Sequence, residues 1–374
     1  MMRIKHIYRQ KRFGVLVLFL WCTVAILAPF LAYSPDEQSS FLSPLIPYGE
    51  QTIDYLNAQS VGPFETQNVG SFYRRHWLGT DELGRDVLAQ LIHGSNTALL
   101  VGFCAILIAS LIGIFLGLVS AFFGDRQWKI SGGNMLSALL SGSTFLLLFL
   151  CIVPWRVEGV VTTEKLMLSV VFFFLSFLLF YLIRYFLKNL NGRFIHQKIN
   201  IPLDSIISRI IESMESLPLL LLLIAFSSLM DPSILSLILM IGLVAWSGIA
   251  KFTRAEVLRL KSNNYIDNAR ALGYGNFRTM FKHILPNALP TLSVSIAFAI
   301  SSAIILESTL SFLGMGLQAT DASWGALMAS ARNDYSSWWL AVFPGTAIFL
   351  VVYSCNSIAD YLSKDDHSGY SNRT

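Results

Sequence analysis

Charge is scarce in this chain of 374 residues. Asp, Glu, Lys and Arg together make up 13%, against about a quarter in soluble domains. The chain is also 54% hydrophobic, with a mean hydropathy of +0.58. That balance points to a polytopic membrane protein. Cysteine is sparse too: Cys22, Cys104, Cys151 and Cys355 lie far apart, each in or beside an apolar run. No zinc or redox spacing exists, which leaves small buried hydrophobes. The phosphate-cradling pattern G-x-x-x-x-G-K-[ST] is absent, and no Gly-Lys dipeptide occurs anywhere. The six histidines are scattered without H-E-x-x-H, and no serine lies in G-x-S-x-G. Asp231 and Asp360 sit far apart near the ends of apolar runs, so they form no intramembrane protease pair. No catalytic or metal site is expected in this chain, and its short basic loops do not suit nucleic acid.

What the chain has is long apolar runs. A helix needs about 20 such residues to cross a bilayer. Eight candidates read as spans: 13–33, 97–122, 135–154, 166–187, 206–229, 234–254, 290–313 and 338–360. Pro218 falls inside the fifth and is tolerable in a membrane helix whose neighbours satisfy the freed carbonyl. The first follows Arg3, Lys5, Arg9, Lys11 and Arg12. It is too long for a signal h-region and reads as an uncleaved anchor with a cytoplasmic N-terminus. Threading from there leaves six of the 27 Lys and Arg outside: Arg74, Arg75, Arg85, Arg156, Lys165 and Arg332. The rest lie in cytoplasmic segments, as the positive-inside rule requires, and the C-terminus is cytoplasmic as well.

Among the cytoplasmic segments, residues 255–290 stand out. Asn264 can cap a helix, with Asp267 three residues on in the style of a capping box. Ile266, Ala269 and Leu272 recur at helical spacing, and Gly273 suits a left-handed C-terminal stop. Asn276 can cap a second helix with an apolar stripe of Phe277, Met280, Phe281 and Ile284, which Pro286 stops. An amphipathic helix lying on lipid is the competing reading. It gains nothing from the break at Gly273.

The order Asp267-Asn268-Ala269, then Ala271-Leu272-Gly273, then Ile284-Leu285-Pro286 resembles the EAA loop of ABC-importer permeases. "HWLGTDELGRDVLAQLIHG" (76–94), "LESTLSFLGMGLQATDASWGALMASAR" (306–332) and "WWLAVFPGTAIFL" (338–350) resemble the second permease of the oligopeptide/dipeptide/nickel branch. The resemblance covers roughly 1–125 and 203–360. It implies an all-α, six-span type I importer core with a coupling helix that docks on a cytoplasmic ATPase. It further implies a homologous permease partner, two ABC ATPase subunits that bind the ATP and Mg, an extracytoplasmic substrate-binding protein, and a bacterial inner-membrane location. Cargo on this reading is a peptide, a nickel chelate or a peptide-like compound. Asp267 and Asn268 depart from the family's Glu-Ala, and Gln318-Ala319-Thr320 departs from its Gln-Pro-Pro turn, which implies a differently shaped outer loop. "ISGGN" (130–134) mimics the ABC ATPase signature, but no polar stretch is long enough to form that soluble domain.

The domain reading is then an anchor span with external segment (1–96), a permease core (97–125 and 203–374), and an insert (126–202). The insert carries two of the eight spans and leaves later topology unchanged, being even in number. It reads either as a helical pair packed on the lipid side or as a docking surface for an accessory protein. In the external segment, Thr80 can cap a helix with Asp81 and Glu82 in its first turn and Leu83, Val87, Leu88 and Leu91 as its stripe. Ser295, Ser302 and Thr309 recur at seven-residue intervals beside Glu307, the one acid deep in a span. They could line a pathway or gate, or serve as interhelical hydrogen bonds. A channel or secondary transporter working without an ATPase is the alternative. It would be expected to show internal repeats with broken helices.

Overall fold

The computed structural model describes residues 2–32, 45–125, 129–131, 198–318, 320–332 and 335–371, with isolated positions between 134 and 185. Expected spans 135–154 and 166–187, and Cys151, fall outside the described residues apart from those isolated positions. Helices dominate: α1 (Met2–Leu31), α2 (Val87–Phe123), α3 (Leu203–Ser216), α4 (Leu219–Ser227), α5 (Ile234–Lys261), α6 (Asn264–Ala271), α7 (Asn276–Thr279), α8 (Leu285–Phe312), α9 (Trp324–Ser330) and α10 (Trp339–Ser371). A π-turn, Met280–Ile284, joins α7 to α8. Among the described residues, five helical stretches are long and apolar enough to cross a membrane, and α3 with α4 would add a sixth.

The chain divides into two compact units, 1–122 with 210–374, and 123–209. In the first, one apolar cluster gathers Val101 and Ile106 of α2, Leu223 of α4, Leu237 and Ile241 of α5, and Ala303 and Leu310 of α8. A second joins Trp21 of α1, Ile304 of α8, Trp324 of α9, and Val351 and Cys355 of α10. In lipid these contacts gain nothing from leaving water, so polar ties and close packing matter more. Asn96 donates to the Ala25 carbonyl at 2.9 Å, and Thr97 to the Ala322 carbonyl at 2.8 Å. Trp324 donates its indole N–H to the Leu91 carbonyl at 2.9 Å. Its ring leaves no room for a Cβ on Gly94, which would stand 2.8 Å away.

The second unit is closed at its base. Strands β1 (Lys129–Ser131) and β2 (Lys198–Asn200) pair antiparallel, Ile130 opposite Ile199. Asp125 accepts both the Ser205 N–H at 2.9 Å and its hydroxyl at 2.7 Å. A carboxylate from 80 residues away thus satisfies an orphan donor in the first turn of α3. This three-residue ladder and three isolated bridges, Ala32 with Ile46, Ile53 with Arg85 and Thr80 with Asp86, add to the all-helical expectation among the described residues.

Three expectations need correction. The fifth span is broken: α3 and α4 meet at an 85° bend across Leu217 and Pro218. α3 is amphipathic (LDSIISRIIESMES) whereas α4 is apolar throughout (LLLLLIAFS). Only the second piece suits hydrocarbon, and Pro218, which cannot donate an N–H, sits at the junction. The external helix does not begin at Thr80. Asp81 to Arg85 form a turn, and α2 starts at Val87, where Asp86 accepts the Ala89 N–H at 2.7 Å. α2 is 37 residues long, about 55 Å, so it outreaches the bilayer at one or both ends. Finally, Pro286 stops nothing. It lies in the first turn of α8, where its missing N–H costs little.

Candidate functional site: the α6–α8 segment, the serine cavity and the outer polar unit

The α6–α7 segment folds from its own sequence as a short helix, a glycine turn and a second helix. Gly273 adopts φ +80° with nothing within 4 Å of its missing side chain. Its role is therefore purely conformational. The Tyr274 N–H reaches back to the Ala269 carbonyl at 3.1 Å, the six-to-one bond of a Schellman stop. Gly275, not Asn276, occupies the cap of α7. The expected apolar stripe splits in two. Met280 and Ile284 are fully buried, with Ile266 and Ala269 of α6, while Phe277 and Phe281 remain 66% and 45% exposed. Met280 and Ile284, four residues apart, lie on one strip, and Phe277 and Phe281, also four apart, lie on the strip beside it.

The buried residues anchor the segment, and the opposite side stays open. Asp267, Asn268, Ala271, Leu272 and Gly273 are exposed beside Phe277 and Phe281; Leu285 is half-buried and Pro286 exposed at the start of α8. Tyr274 is clamped between the Arg278 guanidinium, 4.3 Å from its ring centre, and a stacked His283 at 5.5 Å. This stiffens the connection between the two short helices. The segment thus presents exposed apolar side chains, Leu272, Phe277 and Phe281, next to the basic Arg278 and Lys282.

Ser295 and Ser302 of α8 line a cavity of about 340 Å³. Its other walls are apolar, with Leu219 and Leu223 of α4, Ile241 and Phe252 of α5, and Phe298 of α8 among them. Thr309 does not line it and donates to the Ile305 carbonyl at 2.7 Å. Glu307 faces elsewhere. It is 1% exposed and accepts hydroxyls from Ser308 at 3.1 Å, Ser311 at 3.0 Å and Ser323 at 2.8 Å. Ser323 in turn caps α9 by accepting the Gly325 N–H. A Cβ on Gly325 would run into the Ser308 carbonyl, so α9 packs directly on α8. The geometry makes Glu307 a tie between these two helices.

A polar unit before α2, residues 45–86, went unread in the sequence because its partners are far apart. His76 is fully buried. Its Nδ1 lies 2.8 Å from an Asp86 oxygen and its Nε2 3.2 Å from an Asp54 oxygen. Tyr48 stacks on the ring at 4.3 Å and donates its hydroxyl to the Arg74 carbonyl. Burial disfavours the imidazolium, but the hydrogen bonds and charges of Asp86 and Asp54 outweigh it and hold the His76 pKa above its ordinary value. Burial likewise works to raise Asp54, yet hydrogen bonds from Asn57, His76 and the Leu56 N–H leave its pKa lowered. Thr80, expected as a helix cap, instead donates to the Asn57 carbonyl and accepts the Val61 N–H. Trp339, at the start of α10, donates to the Thr80 carbonyl and fastens the unit to the helical bundle.

Residues 188–365 match the family model described as the binding-protein-dependent transport system inner membrane component. Over that stretch, just under half of its length, the chain is similar to the membrane components of these transport systems. It is 29% identical to the dipeptide transport system permease protein of Bacillus subtilis (strain 168), over 93% of this chain and 78% of that one. It is 28% identical to the di/tripeptide transport system permease protein of Pseudomonas aeruginosa (strain UCBPP-PA14), over 93% and 84%. A probable D,D-dipeptide transport system permease protein of Escherichia coli (strain K12) is 27% identical over 76% and 70%. Together with the long apolar helices, these similarities support a membrane-embedded helical subunit like the permeases of ABC importers.

Proposed function

We propose that this permease imports short peptides as one of a pair of permeases driven by two ATPase subunits and fed by an extracytoplasmic binding protein. The observation that carries the coupling is the α6–Gly273–α7 segment, held from behind by Met280 and Ile284 and open in front through Leu272, Phe277 and Phe281. ATP would bind elsewhere; this chain receives the motion. Asp267 to Gly273 and Ile284 to Pro286 make up the coupling loop. Differential affinity of ATP for one of two arrangements of the spans shifts the equilibrium between them. The charge asymmetry supports cytoplasmic termini and a cytoplasmic coupling loop.

Peptide cargo is supported by the names of three relatives, which are dipeptide, di/tripeptide and probable D,D-dipeptide transport system permease proteins. Ser295 and Ser302 give the largely apolar cavity hydrogen-bonding capacity without a fixed charge. That suits a pathway wall, which must release what it touches. Residues 126–202 are an appendage to the six-span core, a reading supported by the closed base at Asp125 and Ser205. The test is purification of the tagged chain from its native membrane in mild detergent, with mass spectrometry of what accompanies it. A second permease and an ABC ATPase are expected. A chain that emerges alone or as a homo-oligomer overturns the proposal.

A further inference from the structure

α2 and α5 run side by side in the same direction, and the contacts climb together along both. Gly242 of α5 meets the Ala105 carbonyl, Gly113 of α2 meets the Trp246 carbonyl, and Gly117 meets the Ala250 carbonyl. A Cβ on Gly113 would stand 2.7 Å from its carbonyl neighbour, and one on Gly117 2.5 Å from its own. The two backbones therefore touch, and the Gly-x-x-x-Gly spacing at 113 and 117 is the pattern that permits it. This seam ends at Lys261, the last residue of α5. Its ammonium donates to the Phe122 carbonyl at 2.7 Å and the Ala121 carbonyl at 3.0 Å, and lies 5.9 Å from the centre of the Phe122 ring. Carbonyls in the final turn of a helix have no donor within that helix, and the negative end of its dipole favours a cation there.

The position matters because of what lies at each end. Asn264 opens α6 three residues beyond Lys261. At the far end of α2, Asp86 caps the helix and holds His76 of the outer polar unit. We propose that Lys261 is a positioning residue that fastens α2 to α5, so that movement of the α6–α7 segment reaches the outer unit through both helices as one lever. This rests on the ATP-coupled reading above. Without Lys261 the glycine seam still packs, but the end nearest the moving segment is free to slide. ATP is then spent on motion that α2 does not follow.

The experiment uses the assembled transporter in proteoliposomes, with both permeases, the ATPases and the binding protein, and a panel of radiolabelled di- and tripeptides. Lys261→Gln is compared with wild type and Lys261→Arg for ATP hydrolysed per peptide imported, normalised to assembled complex. The expected result is a rise of about tenfold in that ratio for Lys261→Gln, the size of one lost charged hydrogen bond, with rescue by Lys261→Arg. Lys261→Met, which keeps the stem, replaces the Gln variant should that one fail to assemble. A merely structural lysine lowers hydrolysis and import together and leaves the ratio unchanged, which overturns the proposal. A wild-type chain that recruits no ATPase instead overturns the reading beneath it.

Discussion

His76 has no exposed surface, and both its ring nitrogens face carboxylates, Asp86 and Asp54, under a stacked Tyr48. Because its native pKa is raised, the imidazolium contributes fully below its ordinary value of about 6.5, and the contribution is lost as pH climbs through the raised value. Asp54 has the opposite sign. Its contribution is complete above about 3.9 and is lost as pH falls through its lowered native value. The outer unit should be tightest between those limits. Hydrogen exchange of residues 76–90, followed against pH, should show protection falling on the alkaline side. His76→Ala should destabilise by on the order of 3 kcal/mol, since it takes the ring partner from buried Asp86 while Asp54 stays partly exposed. Protection that stays flat across that range, once the intrinsic pH dependence of exchange is removed, would contradict the assignment. Glu307 makes a second residue-scale test. Glu307→Ala strands the Ser311 and Ser323 hydroxyls, and should lower stability in detergent by on the order of 3 kcal/mol. Little of this could be read in advance. A lone acid in an apolar span signals a partner, but Ser323 lies 16 residues away. His76 and Asp54 are 22 apart and belong to no periodic pattern.

Elements were more legible than their ends. The apolar runs locate α1, α2, α5, α8 and α10 because burial in lipid depends on composition, which sequence displays directly. The stop at Gly273 was equally legible, since only a residue without a side chain takes φ +80° freely. The break at Pro218 was not, because a membrane proline can kink a span or end it, and neighbours decide which. The turn at Asp81 was missed for a similar reason. Arg85 donates to Asp81 at 2.7 Å and makes a loop of what reads as a first helical turn. At this scale Gly273 is the sharp test. Gly273→Ala should cost the turn about 1–2 kcal/mol and weaken import modestly. Gly273→Pro, fixed at negative φ, should abolish import while leaving the chain inserted in the membrane. Normal import by a stably expressed Gly273→Pro variant would sink the coupling role of α6 and α7.

At the scale of the whole molecule, two parts of the chain stand beside the helical bundle in sequence. One is the outer polar unit, tied to α2 by Asp86 and to α10 by Trp339. The other is the unit at 123–209, whose chain ends are brought together by the β1–β2 ladder and by Asp125 with Ser205. Replacing 126–202 with a short Gly-Ser link should therefore leave import by the assembled transporter within about twofold of wild type, since closing a short flexible loop costs little. Loss of ATPase recruitment on that deletion would instead make the insert part of the coupling machinery. The central claim is that an exposed aromatic face on α7 and its π-turn receives an ATPase. The most direct measurement is ATP-driven peptide import by the reconstituted assembly carrying Phe277→Asp and Phe281→Asp together. Two exposed aromatics at the centre of an interface predict a loss of ATPase affinity of about 100-fold or more. ATP-dependent import should disappear while the two permeases stay paired. Import that continues at the wild-type rate, or that needs no ATP in either protein, would contradict the account.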